Sequence, residues 1–157
     1  ERYCSATYIA LLATREIREN GRDSSLRKEL DDKGEIDARD INEARKAGDE
    51  LATEIWDRGT YYLALACVNI CCILDPDRIV FGGGMAKAGE DLMEPVQAHF
   101  VRMHWDLTEP RTTLSLAQLG NDAGAIGAAG VAWQAFGGEE PADEKTSGDD
   151  DSRKARP

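Results

Sequence analysis

Arg78-Ile79-Val80-Phe81-Gly82-Gly83-Gly84-Met85-Ala86 changes character twice within nine residues. The β-branched and aromatic run, bounded by Pro76 and Gly82, predicts a short strand over Arg78–Phe81. Three glycines follow, and a helical pattern resumes from about Ala86 to His104. Glycines at the carboxyl end of a strand let the backbone approach a ligand with no Cβ in the way. In open α/β sheets, ligands bind beyond those carboxyl ends. A nucleotide therefore has a place against this turn. A tight strand-to-helix turn without a ligand explains the same glycines, and the residues alone leave the two readings level. The spacing is neither G-x-G-x-x-G nor a P-loop, so neither a Rossmann nor a Walker site is read here.

Upstream, Asp75-Pro76 ends a long helix that Asp49 caps and that runs to about Leu74, because the residue before proline is disfavoured in the α region. Asp37-Ala-Arg-Asp40 pairs an N-cap with an acid three residues on. It opens a short helix that stops at Ala47-Gly48. Asp23 to Gly34 is polar, with one helical turn expected over Leu26 to Leu30. A first helix is expected from Arg2 to about Glu19, with Tyr8, Leu11, Leu12 and Ile17 near helical spacing and Asn20-Gly21 as its stop.

Downstream, Pro95 lacks an N–H, so a break or restart is expected near Glu94. Thr112 to Ala117 alternates and predicts a second strand. A Gly- and Ala-rich helix then starts at Asp122 and ends near Phe136. Glycine inside a helix costs roughly 1 kcal/mol against alanine. Gly124, Gly127 and Ala128 share one face, which points to a second helix crossing close by. The order helix–strand–helix–strand–helix predicts α/β architecture with a parallel strand pair and right-handed crossovers. Both strands read as buried on two faces, and two strands do not make a stable sheet alone. With no initiator Met, the chain is expected to be a fragment whose remaining strands and helices precede Glu1.

The 157 residues carry 19 Lys+Arg against 30 Asp+Glu, a net charge of −11. Such a surface repels phosphate backbones and anionic lipids, which argues against a nucleic-acid face and against a membrane surface. Aromatics are 6%, too few for a base-stacking platform. Nucleotide binding through backbone N–H groups needs no net positive charge and stays open. The apolar run Tyr61 to Leu74, interrupted only by Asn69, is shorter than the ~18 residues of a membrane span and reads as a buried helix. No signal peptide is read at Glu1. Cys67, Cys71 and Cys72 crowd that run, with Cys4 apart, unlike a disulfide framework. Cys67 and Cys71 have a helical metal-pair spacing, but no His or carboxylate stands beside them. Core packing in a reduced, cytoplasmic setting is expected instead. His99 and His104 are expected to be partly exposed helix residues. Residues 137–157 mix seven acids with four basic residues and have no apolar period. They are expected to form a disordered acidic tail after a folded part spanning 1–136.

Glu1-x-Tyr3-x-Ser5, Ala47-Gly48-Asp49, Asn69, Pro76, Ile79 to Gly84 and Leu119-Gly-Asn-Asp-Ala-Gly124-x-x-Gly127-Ala-Ala129 follow one another in a telling order and spacing. From Glu1 to about Phe136 the chain resembles the C-terminal half of a ROK-family sugar kinase. The resemblance implies an incomplete actin-like ATPase (ribonuclease H-like) lobe. It implies ATP-dependent phosphorylation of a hexose, with glucose to glucose 6-phosphate the first choice. Gly82 and Gly83 match the family's adenosine motif, and Gly84 and Met85 flank it. Glu1 matches a glutamate whose carboxylate accepts hydrogen bonds from sugar hydroxyls. Gly124, Gly127 and Ala128 match a helix that crosses its partner at the hinge between two lobes. The cofactors implied are ATP and Mg²⁺, with zinc in the intact family member on ligands outside this chain.

The general base, the phosphate loop and the zinc cysteines of the family are expected upstream of Glu1, so no catalytic residue is assigned here and this chain alone is expected to be inactive. A homo-oligomer is implied as well. Two other functions fit the same residues: a sugar-responsive ROK transcriptional regulator, and a non-catalytic fragment. The chain departs from the family in carrying Ala64 and Ala66 where glycines are frequent, and Asp75 where asparagine is common.

Overall fold

The computed structural model describes residues 2–103 and 111–137. Ser5 opens the first helix, because its hydroxyl accepts from the Tyr8 N–H at 3.1 Å, so α1 spans Ala6–Arg18 and starts later than Arg2. The second helix, α2, spans Leu26–Lys33, longer than the single turn expected, and closes on Gly34 at φ 79°. The third, α3 (Ala38–Lys46), opens with the expected reciprocal cap. The Asp37 carboxylate accepts from the Arg39 and Asp40 N–H groups, and the Asp40 carboxylate accepts from the Asp37 N–H.

Asp49 caps α4 (Glu50–Leu74) by accepting from the Ala52 N–H at 2.8 Å. The same carboxylate also accepts from the Ser24 hydroxyl, the Ser25 hydroxyl and the Ser25 N–H. One residue thus closes a helix and ties down the loop into α2.

The helix α4 is the central element of the unit that precedes Gly124. Leu51, Ala52, Ile55, Trp56, Gly59, Thr60, Ala64 and Cys67 recur at three- and four-residue steps and form its buried stripe. Ile9, Leu12 and Ile17 of α1 join the same core. A Cβ on Gly59 would stand 3.2 Å from Ile9 Cγ2, so the two helices meet closely there. Beyond Cys67 the stripe runs out, and Ile70, Ile73 and Leu74 are exposed. The apolar run Tyr61 to Leu74 is therefore covered on one side only by the described residues, and is not the buried helix its composition suggested. No described helix is long and apolar enough to cross a membrane.

The strand β1 (Arg78–Phe81) has the expected bounds. It pairs in parallel with β2 (Thr113–Leu116), Arg78 facing Thr113 and Phe81 facing Leu116. Ile79, Phe81 and Leu114 pack on the core, while Val80 is 56% exposed. Burial on both faces was expected. The described residues cover one.

Between the strands, a 3-10 turn (Met85–Ala88) and Gly89 at φ 59° lead into α5 (Glu90–Met103). The restart expected near Glu94 falls at Gly89, and Pro95 sits inside α5 without breaking it. Proline removes the donor for the carbonyl four residues back, here Asp91. The Trp56 indole N–H reaches across from α4 and donates to that carbonyl at 3.0 Å. The carbonyl keeps a partner, and the helix runs on.

The described residues fall into two compact units, one running up to Ala123 and a second from Gly124 onward. After a 3-10 turn at Gly120–Asp122, α6 (Ala123–Phe136) carries Ile126, Val131, Trp133 and Phe136 exposed. Among the described residues nothing stands within 4 Å of where a Cβ on Gly124 or Gly127 would be, so these residues do not themselves supply the close helix crossing expected there. Glu1, His104 and the expected tail from residue 138 onward lie outside the described residues.

Candidate functional site

The Phe81 carbonyl accepts from the Ala117 N–H at 2.8 Å, and Gly82 then leaves the strand pair. Gly83 has φ 86°, in the left-handed region that side chains avoid, so the turn itself calls for glycine there. Gly82 and Gly84 are different. A Cβ on Gly82 would meet only Ala117 Cβ at 3.8 Å, an ordinary contact. Gly84 has φ −61°, and nothing lies within 4 Å of where its Cβ would stand. The fold needs glycine at 83 and has room for a side chain at 82 and 84. All three are exposed. Two glycines without a structural cause, beside open space, fit a surface that something else approaches closely.

That something has a place. Gly84, Met85, Lys87 and Ala88 line one side of a groove of about 580 Å³, and Asn42, Glu43 and Lys46 of α3 line another. Trp56 and Asp91 also contribute to it. The volume lies within the ~300–1,000 Å³ of small-molecule sites. Of the four residues expected to bind nucleotide, Gly84 and Met85 stand in the groove wall, and Gly82 and Gly83 form the turn that leads into it. Glu1, expected at the sugar, is outside the described residues.

The groove is braced by charge. The Asp91 carboxylate accepts from Asn42 Nδ2 at 3.0 Å, Lys46 Nζ at 3.0 Å and Arg45 Nη2 at 3.2 Å. Arg45 also donates twice to Asn42 Oδ1, and its guanidinium lies 5.6 Å from the Trp56 ring centre. The Asn42 hydrogen bond, helped by Lys46, holds the Asp91 carboxyl below the usual carboxylate range. None of this was read from the sequence. Asn42 and Asp91 are 49 residues apart. The one local signal was Pro95, whose freed carbonyl belongs to Asp91.

His99 is buried rather than partly exposed. Arg102 Nη2 lies 2.6 Å from its Nδ1 and Asp57 Oδ1 lies 2.9 Å from its Nε2. A guanidinium can only donate, so Nδ1 accepts and Nε2–H donates to Asp57. Cys67 is buried in the core, and burial, with Cys71 and Cys4 nearby, pushes its thiol up to about 11. A thiol so placed is not a nucleophile near neutral pH. Among the described residues, no group of three or more His, Cys, Asp or Glu side chains is placed to hold a metal ion.

A family model described as the ROK family matches residues 1–135. The glucokinase of Halalkalibacterium halodurans is 38% identical over 127 residues, which are 81% of this chain and 38% of that protein. The glucokinase of Thermotoga maritima is 31% identical over 102 residues, 65% of this chain and 32% of that protein. Among solved structures, a ROK family glucokinase from Streptomyces griseus in complex with glucose and AMPPNP superposes with a TM-score of 0.70. It shares 24% identity over 85% of this chain and 44% of that one. A ROK family transcriptional regulator, a homolog of the E. coli MLC protein, superposes with a TM-score of 0.59. It shares 22% identity over 73% of this chain and 28% of that one. The chain spans less than half the length of each of these relatives. Its helix-rich body and short parallel strand pair are part of the actin-like ATPase fold of the ROK sugar kinases.

Proposed function

Because this chain belongs to the ROK family, which it matches over residues 1–135, we propose that it works within an ATP-dependent hexose kinase, with glucose as the first-choice sugar. The observation that carries the reading is the glycine turn. Gly82 and Gly84 leave room that the fold does not use, next to a groove of suitable size. Backbone at Gly82 and Gly83 passes close to the adenosine, and Gly84 and Met85 wall the groove that receives it. The likeness to glucokinases, one of them solved with glucose and AMPPNP, supports both substrates.

In this reading the described part of the chain seats the nucleoside, and Glu1 accepts hydrogen bonds from sugar hydroxyls. The phosphoryl group passes from ATP, carried with Mg²⁺, to a sugar hydroxyl, whose proton goes to a base outside this chain. The described residues offer no ligand set for zinc. The intact protein is placed in the cytoplasm as a homo-oligomer, and this chain by itself is inactive. The second reading, a sugar-responsive regulator, is favoured by the fold shared with a ROK regulator. It needs no nucleotide.

Gly84→Val separates the two. Gly84 has ordinary φ and open space around it, so the variant folds with its melting temperature little changed. In the protein at the full length of its relatives, KM for ATP rises about tenfold while KM for the sugar moves less than about twofold. Unchanged ATP binding in folded Gly84→Val removes the nucleotide assignment and turns the choice to the regulator.

A further inference from the structure

The groove is built from pieces distant in the chain, and they converge on one residue. Through its side chain, Asp91 holds Asn42 and Lys46, both of which line the groove from α3, and Arg45 beside them. Through its main-chain carbonyl, freed by Pro95, it holds the Trp56 indole of α4. The opposite wall follows it closely. Met85–Ala88 runs through Gly89 directly into the first turn of α5, where the Leu92 and Met93 N–H groups donate to the Gly89 carbonyl at 3.1 and 3.0 Å. A shift of that turn therefore moves the Gly84–Ala88 wall against α3.

We propose that Asp91 is a positioning residue, anchored by Asn42 and Lys46 through its carboxylate and by Trp56 through its carbonyl, that sets the spacing between the two walls of the groove and with it the affinity for the nucleoside part of the nucleotide. This rests on the nucleotide reading above. Removing the carboxylate releases α3 from the first turn of α5. It also leaves Asn42, which is 9% exposed, without its acceptor. The sugar contacts of the proposed reading are assigned to Glu1 and not to Asn42, Lys46, Trp56 or Asp91.

The test uses the protein at the full length of its relatives, with calorimetric titration of ADP and, separately, of glucose. Asp91→Ala raises Kd for ADP about tenfold and Kd for glucose less than about twofold, and Asp91→Glu recovers part of the loss. Combined with Asn42→Ala, the effect is no larger than that of the stronger single change, because both act through one network. Asp91→Asn keeps the side-chain volume and loses the ion pairs to Arg45 and Lys46. It raises Kd for ADP about threefold and carries the test if the alanine variant does not fold. Unchanged or tighter ADP binding in folded Asp91→Ala, or unchanged binding in Asp91→Asn, overturns the positioning role. Gly84→Val keeps the two claims apart. If it loses ADP while Asp91→Ala does not, the positioning role falls and the nucleotide site stands. If neither loses ADP, both fall.

Discussion

Asp75 is the non-glycine residue of the described chain in the left-handed region, at φ 45° and ψ 54°. It ends α4, where unpaired carbonyls leave partial negative charge. A β-carbon is strained in that conformation, and a carboxylate is repelled at that end. Asparagine tolerates the same backbone without the charge. Asp75→Asn is expected to stabilise the fold by about 0.3–1 kcal/mol. A urea titration checks this as a higher midpoint with an unchanged slope. The residue scale is also where the sequence misled. His99, expected to be a partly exposed helix residue, is buried. Its burial depends on Asp57, 42 residues away, and on Tyr61, whose ring meets it edge-on at 5.6 Å.

Elements were legible wherever the signal is local. The caps at Asp37 and Asp49, the stop at Leu74 and the bounds of β1 all follow from a few adjacent residues. Pro95 was misread for the opposite reason. The donor that rescues its helix, Trp56, comes from another element. Asp49 offers a measurable case of a local signal. Burial works to raise its carboxyl, but the Ala52 and Ser25 N–H groups and two serine hydroxyls outweigh it and hold it below the usual carboxylate range. A folded pKa below the unfolded one contributes stability that is complete above about pH 4 and is lost as pH falls through the folded value. Asp49→Asn is therefore expected to flatten the acid limb of the stability curve below about pH 4. Asp49→Ala removes the cap as well and is expected to cost about 1–2 kcal/mol at neutral pH. Urea midpoints across pH 2.5–7 check both expectations, the pH span being chosen to bracket the usual carboxylate range of about 4.

At the scale of the molecule, one side of the candidate groove could be read in advance and the other could not. Gly84 and Met85 lie in a recognisable strand–glycine–helix passage. Asn42, Lys46 and Asp91 are ordinary surface types in the sequence and acquire meaning only when α3 meets α5. The parallel pairing of Arg78 with Thr113 has a further consequence, for the order of events in time. Those partners are 35 residues apart (113 − 78). Bringing such ends together carries a loop-closure entropy that grows as the logarithm of length. The turns of α3 and α4 close locally and carry no such delay. The strand pair is expected to form after the helical body and to open before it. In hydrogen exchange, the Thr113 and Ala117 amides, bonded to the Asp77 and Phe81 carbonyls, should lose protection well ahead of Ile55 and Thr60 in α4. Equal protection would show a single cooperative unit. The glycine turn hangs from the late-forming pair, so in a newly made chain the candidate groove is expected to be completed last, and a ligand that fits it would draw the final step of folding forward.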